Sequence, residues 1–197
     1  MKQVLGGLKK GLVFVISAPA GTGKTTLVRM LQSEFSCVVE SVSYTTRAPR
    51  ASEVEGRDYH FITVPEFEKR IKEGEFLEHA KVFGHYYGTS RKFVEETQRK
   101  GHHVVLVIDT QGTLQLQGKL EATFIFVSPP SLEELKARLL ARKSESKESI
   151  EQRLSWAEKE MALSSRYDYH IVNDHLKTAY DVLRAILIAE EHHTKRG

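Results

Sequence analysis

A single cysteine, Cys37, stands in 197 residues. An internal disulfide is therefore excluded, and the thiol reads as a buried structural group in a reducing compartment. No apolar run is long enough to span a bilayer. The opening stretch, MKQVLGGLKKG, lacks the long apolar core and small-residue cleavage site of a secretory signal. Together these point to a cytoplasmic protein with no membrane partner. A strong excess of one charge is missing too: 29 basic against 26 acidic residues leave +3. That falls short of the clustered excess of a nucleic-acid binder, although local basic patches aimed at phosphates stay possible. Internal repeats and low-complexity tracts are absent, and the histidine pair in the final HHTKRG, without further ligands, reads as a frayed helix end.

What the chain does have is alternation. LVFVIS, HVVLVID and TFIFVS are continuous apolar runs of the kind buried on both faces of a sheet, and YHIV offers a shorter fourth. Helical spacing marks SRKFVEETQRK, SLEELKARLLARK, IEQRLSWAEKEMALSSR and TAYDVLRAILIAEEHH. Strands alternating with helices predict an α/β fold with a parallel central sheet, whose ligands gather at the carboxyl ends of the strands. Residues from about Glu40 to Gly88 break the rhythm. They are rich in Arg, Tyr, Thr and Glu, hold the helical PEFEKRIKEG, and read as an inserted lobe. LARKSESKESI, Leu140 to Ile150, is charged and serine-rich, and is expected to be a mobile connection within a helical lobe.

APAGTGKTT, Ala18 to Thr26, sits between the first strand and a helical stretch. Gly21 and Gly23 let the loop curl so that backbone N–H groups face inward, and the following helix presents its positive dipole end. Lys24 would reach terminal phosphates, and the Thr25 hydroxyl would take a place on Mg²⁺. An ordinary turn has no need of a lysine and a threonine there. Asp109 ends HVVLVID, where phosphate-loop enzymes keep a carboxylate near magnesium, though aspartate also caps turns in that position. In SVSYTTRAPR, Pro49 disfavours helix, so Arg47 and Arg50 can converge with the hydroxyls of Ser43, Thr45 and Thr46 on a phosphate. A solvated basic loop is the alternative.

From roughly Gly11 to Glu190 the chain resembles the guanylate kinases. The carrying motifs are APAGTGKTT, SVSYTTRAPR, GRDYHF, FLEHAKVFGHYYGT, IDTQG, PPSLEELKARLLAR and IVND, in the family's order. The resemblance implies a phosphate-loop fold of three layers with an inserted GMP-binding lobe and a helical lid. The division would be residues 1–39, 92–130 and 165–197 for the core, 40–91 for the lobe and 131–164 for the lid and flanking helices. It implies transfer of the γ-phosphoryl group of ATP to GMP, and also dGMP, with Mg²⁺.

Ala18, Pro19, Ala20, Gly21, Thr22, Gly23, Lys24, Thr25 and Thr26 would hold ATP, and Asn173 matches a position near adenine or is a turn residue. Ser43, Arg47, Arg50, Tyr59 and Tyr87 match the holders of the GMP phosphate. Glu78 and Thr89 match the readers of guanine, whose adjacent ring N–H and amine one carboxylate can accept together. Asp109 joins the GMP site and, with Thr25, the metal. Arg142 and Arg153 match lid arginines over the ATP phosphates and, with Lys24 and Arg47, form the catalytic set. Arg138 could instead pair with Glu134, and Tyr86 is expected to pack.

Departures are Val107, where an acidic companion of Asp109 is common, Ala18 and Ala20 for Gly and Ser, and Lys143 for a lid glycine. Two rivals can be named. Guanylate-kinase-like scaffolds bind phosphorylated peptides, but typically with a degraded phosphate loop; a kinase of phosphorylated sugars would leave Glu78 and Thr89 idle.

Overall fold

The computed structural model of the chain describes residues 4–141 and 147–194. The first half runs β1 (Val13–Ser17), α1 (Lys24–Glu34), β2 (Val38–Ser41), β3 (Tyr44–Thr45), β4 (His60–Phe61), α2 (Val64–Lys72), β5 (Phe76–Val82) and β6 (His85–Ser90). The second half runs α3 (Arg91–Arg99), β7 (His103–Val107), α4 (Thr110–Leu116), β8 (Thr123–Ser128), α5 (Leu132–Ala141), α6 (Lys147–Ala162), a 3-10 turn at Ser164–Arg166, β9 (Tyr169–Val172) and α7 (Leu176–Glu191).

The apolar runs became strands because each buries both faces. They lie parallel in the order β2-β7-β1-β8-β9. Alternate side chains then feed two cores. Phe14, Ile16, Val105, Ile125 and Val127 meet Leu27, Val28 and Leu31 of α1 and Leu183 and Leu187 of α7. Val13, Val15, Val104, Leu106 and Phe126 face the other way, onto Val94 of α3 and Leu116 of α4. The result is a three-layer helix–sheet–helix core, in which each fully buried Leu, Ile or Phe contributes about 1.5–3 kcal/mol. A third apolar cluster, Leu135 and Leu139 of α5 with Ile150 and Ala157 of α6, packs α5 and α6 on each other.

Residues between β2 and α3 form a second sheet, ordered β4-β3-β6-β5, with antiparallel β5–β6 and β3–β6 pairs. It is capped by α2, where Phe67 stacks on Phe76 and on Tyr86, so Tyr86 does pack. The helix start follows from its residues: the Thr63 hydroxyl accepts from the Glu66 N–H, Pro65 fits the first turn, and Lys69, Arg70 and Lys72 face the negative end.

Two sequence expectations need correction. Glu40 and Ser41, read as the start of the insertion, belong to β2, paired with Val105 and Leu106 of the main sheet; a four-residue edge strand is too short to show a buried run. Residues 110–116, assigned to no element, form α4, whose start is set by the Asp109 carboxylate accepting from the Gly112 N–H at 2.9 Å. Of the expected mobile connection at Leu140 to Ile150, residues 142–146, Arg142 and Lys143 among them, lie outside the described residues, while its two ends belong to α5 and α6. Cys37 is buried, and burial pushes its thiol up.

The segment before β1 is tied to the end of α7 at Glu191. Its carboxylate accepts from the N–H groups of Gly6 at 2.7 Å and Gly7 at 2.9 Å, and pairs with Nε2 of the fully buried His103 at 2.5 Å. The Leu12 N–H donates to Nδ1 of His103, which leaves the proton on Nε2, pointing at Glu191. Burial acts to raise the Glu191 carboxyl, but these three donors outweigh it and hold it below its ordinary value. The group therefore stabilises the fold above the ordinary carboxylate range and ceases to as pH falls through its lowered value. Glu191→Gln is expected to cost about 1.5–3 kcal/mol at pH 7, the scale for hydrogen bonds to a charged group. Urea unfolding at pH 7 checks this; a cost below about 0.5 kcal/mol, the floor for an ordinary hydrogen bond, would mean the clip carries little.

Candidate active site

The loop after β1 and the first turn of α1 form one wall of a cleft at the carboxyl ends of the main strands. Gly21 and Gly23 take φ of +95° and +100°, values that side-chain-bearing residues rarely reach. A Cβ on Gly23 would also lie 2.7 Å from Nδ2 of Asn173. The loop's carbonyls are tied back: Ala18 O accepts from Lys24 Nζ, Pro19 O from the Thr22 hydroxyl at 2.7 Å, and Thr22 O from Asn173 Nδ2 at 2.6 Å. Helix α1 starts after Gly23 with no side-chain cap, and its positive end lies on the cleft, an arrangement that suits an anion. Thr25 is exposed at that turn.

The opposite wall comes from the second sheet. One cleft of about 360 Å³ is lined by Ala18 to Thr26 on one side and by Ser43, Arg47, Arg50, Tyr59, Glu78 and Tyr87 on the other, with Asp109 at its floor and Arg153 of α6 at its rim. Two residues singled out from the sequence stand behind the walls. Thr89 is buried, its hydroxyl donating to Glu78 at 2.5 Å, and Asn173 is buried where it ties the loop. Arg138 does pair with Glu134, at 3.0 Å, and also reaches the Asn173 carbonyl.

Neighbouring residues hold the cationic wall in shape. Glu53 accepts from Arg47 Nη2 at 2.9 Å and from the Arg50 N–H at 2.8 Å, while the Arg47 guanidinium lies 5.4 Å over the Tyr59 ring. Tyr59 and Tyr87 meet edge to face at 5.8 Å. Glu78 is set with equal care. Gln115 of α4 completes the β5 edge, donating to His79 O at 2.7 Å and accepting from the His79 N–H at 3.3 Å. This draws β5 onto α4 at Gly112, where a Cβ would overlap Glu78 Oε2. A side chain at 112 would displace the carboxylate from that position.

Two carboxyls in the cleft are strongly perturbed. Burial pushes Glu78 up to about 7 against the Thr89 hydrogen bond, with Asp109 adding to the rise. Burial likewise pushes Glu160 of α6 up to about 7, opposed by Lys24 and reinforced by Asp109. Asp109 is itself raised by burial, against the Gly112 N–H and Lys24. Sequence reasoning missed Glu53, Gly112, Gln115 and Glu160. Glu53, three residues after Arg50, had a visible charge signal; the others depend on elements distant in sequence.

Among the described residues no group of three or more His, Cys, Asp or Glu could cage a metal. Asp109 and the exposed Thr25 hydroxyl instead fit a hard cation that keeps waters and phosphate oxygens as most of its ligands, which suits magnesium. No helix among the described residues is long and apolar enough to cross a membrane.

Three comparisons bear on this site. The family model described as guanylate kinase matches residues 10–190. A guanylate kinase of Protochlamydia amoebophila is 60% identical over 191 residues, covering 96% of this chain and 97% of the relative. One of Chlamydia felis is 49% identical over 181 residues, 91% and 89% of the two chains. The crystal structure of guanylate kinase from Anaplasma phagocytophilum superposes with a TM-score of 0.78 at 37% identity, covering 94% of this chain and 88% of that one.

The raised Glu78 has a consequence for stability. The folded value lies above the unfolded one, so the carboxylate opposes folding fully above about pH 7 and not at all below about 4.5. Glu78→Gln is therefore expected to stabilise the nucleotide-free protein at pH 8 by on the order of 1–3 kcal/mol, the gain fading toward pH 4.5. Thermal unfolding at pH 5 and pH 8 tests it; an equal effect at both would show that the charge is not the cause.

Proposed function

The chain belongs to the guanylate kinase family, and from that premise we propose how its own residues divide the work. The reaction is transfer of the terminal phosphoryl group of ATP to GMP, giving ADP and GDP. The observation that carries the residue assignment is the single cleft with a phosphate loop on one wall and an arginine–tyrosine–glutamate set on the other.

In this reading the loop from Ala18 to Thr26 cradles the ATP phosphates with its N–H groups, and Lys24 exchanges the Ala18 carbonyl for phosphate oxygens. Ser43, Arg47, Arg50, Tyr59 and Tyr87 take the GMP phosphate. That group is largely ionised near neutral pH, so its oxygen attacks without a strong general base. Glu78 accepts the two guanine donors while Thr89 steadies it. Arg153 approaches the transferring group from the helical lid, and Arg142 is assigned the same task by the family resemblance alone. Thr25 and Asp109 would hold magnesium, which when bound would offset phosphate charge. Alignment and charge neutralisation are the whole of the catalysis. Adenine would leave Glu78 desolvated without its donors, the mismatch that discriminates most strongly.

Base and phosphate contacts are common to GMP and dGMP, which supports dGMP as a second acceptor. The reading also divides the chain into a core of residues 1–41, 92–130 and 165–197, its first boundary moved from 39 to the end of β2, a GMP lobe of 42–91 and a lid of 131–164. A cytoplasmic site of action accords with the lone buried cysteine.

Lys24→Ala is expected to lower kcat by about a hundredfold or more, the scale for deleting a transition-state charge partner, and to leave GMP affinity within about twofold. A coupled assay and calorimetry with GMP alone read the two; an equal fall in both would merge the two subsites. For base choice, Glu78→Gln is expected to lower kcat/KM for GMP about tenfold to a hundredfold, as for removal of about 1.5–3 kcal/mol, with AMP affected less. Parallel specificity constants check this, and equal falls on GMP and AMP would remove Glu78 from base recognition.

A further inference from the structure

Strands β5 and β6 are joined by two residues, Phe83 and Gly84, since Val82 pairs with His85. Both have positive φ, +48° and +84°. This is the pattern of a type I′ hairpin turn, whose first central position suits asparagine, aspartate or glycine. A bulky aromatic residue there is out of place on two counts: its Cβ is strained in the left-handed region, and the residue is 52% exposed. Neither the hairpin nor a core explains it.

Its neighbours do. The Phe83 ring lies 5.9 Å from the guanidinium carbon of Arg153 and 5.9 Å from the Trp156 ring, both on α6 and both on the cleft wall beside Phe83 itself. Residues Arg153 and Trp156 are three apart, so they present one face of the helix to the hairpin tip. A cation over an aromatic face is attracted to the ring quadrupole, and a guanidinium held in this way gives up side-chain freedom.

We propose that Phe83 is a positioning residue for phosphoryl transfer: from the tip of the acceptor lobe it lies against Arg153 and Trp156, and so orients the Arg153 guanidinium at the mouth of the cleft. The strained turn is retained because the ring works outside its own hairpin. The contact also links acceptor lobe to lid, so the arginine is oriented only when the two are together. This rests on the reading of Arg153 as a phosphate-facing residue.

The test uses Phe83→Asn, which gives the turn its preferred Asn-Gly pair. A residue kept for folding would lower the melting temperature when removed; here the melting temperature is expected to stay or rise. The value of kcat/KM is expected to fall about five- to twentyfold, the scale of one cation–π interaction and one aromatic pair removed together. GMP affinity by calorimetry is expected to stay within about twofold, since every residue of the acceptor site is kept. Trp156 is the one tryptophan in the chain, so its emission should change in the variant and return in Phe83→Tyr, which should also recover most of the activity. A fall of less than about threefold in kcat/KM, a lowered melting temperature, or unchanged Trp156 emission would overturn the proposal. Arg153→Ala separates the two levels: if it lowers activity while Phe83→Asn does not, only the positioning role fails, and if Arg153→Ala is itself harmless, the lid reading fails first.

Discussion

A loop that binds phosphate must turn its N–H groups inward, and it keeps that shape without a ligand only if its carbonyl oxygens are held elsewhere. Here the carbonyls of Ala18, Pro19 and Thr22 are each taken by a side chain, from Lys24, Thr22 and Asn173. The last of these reaches in from just beyond β9, 151 positions along the chain. The loop is thus built by the outer strand of the sheet as much as by its own glycines. Preorganisation of this kind means that little reorganisation remains when charge develops on the transferring group.

The same constraint governs the other wall. Bringing two polyanions together needs several cations in a small volume, and those cations would repel one another in the empty protein. Carboxylates relieve this locally: Glu53 beside Arg47 and Arg50, and Asp109 and Glu160 near Lys24. Each can yield its cation to a phosphate, whose doubled charge and extra oxygens make it the stronger partner. Glu78 follows the opposite logic. It is buried with one hydroxyl donor and pushed toward neutrality, so its ionised form gains most when two further donors arrive. In the proposed reading, the instability of that carboxylate in the empty cleft and its selectivity for a base are one property.

Much of this was legible beforehand for physical reasons. Strands buried on both faces must be continuous apolar runs, so β1, β7 and β8 announced themselves, and with helices between them they required a parallel sheet. The phosphate loop was readable because glycines and a lysine at a strand-to-helix junction have little other use. β2 and α4 were not readable: the first is four residues on a sheet edge, and the second begins from an aspartate whose cap and metal readings use the same carboxylate. Glu160 gave no sign, because only the packing of α6 over the core buries it.

Local chemistry, then, was decided by the sequence: where the chain turns, which stretches are apolar, which residues can meet phosphate or a base. Mutual position was decided by the tertiary structure alone. Gly112 admits Glu78, Gln115 completes the edge of β5 from 36 positions away, Asn173 holds the Thr22 carbonyl and Phe83 lies against Arg153, and each of these joins segments that are remote along the chain. Periodicity and propensity act over a few residues, whereas such contacts exist only once the sheet has ordered its strands and brought their ends to one edge.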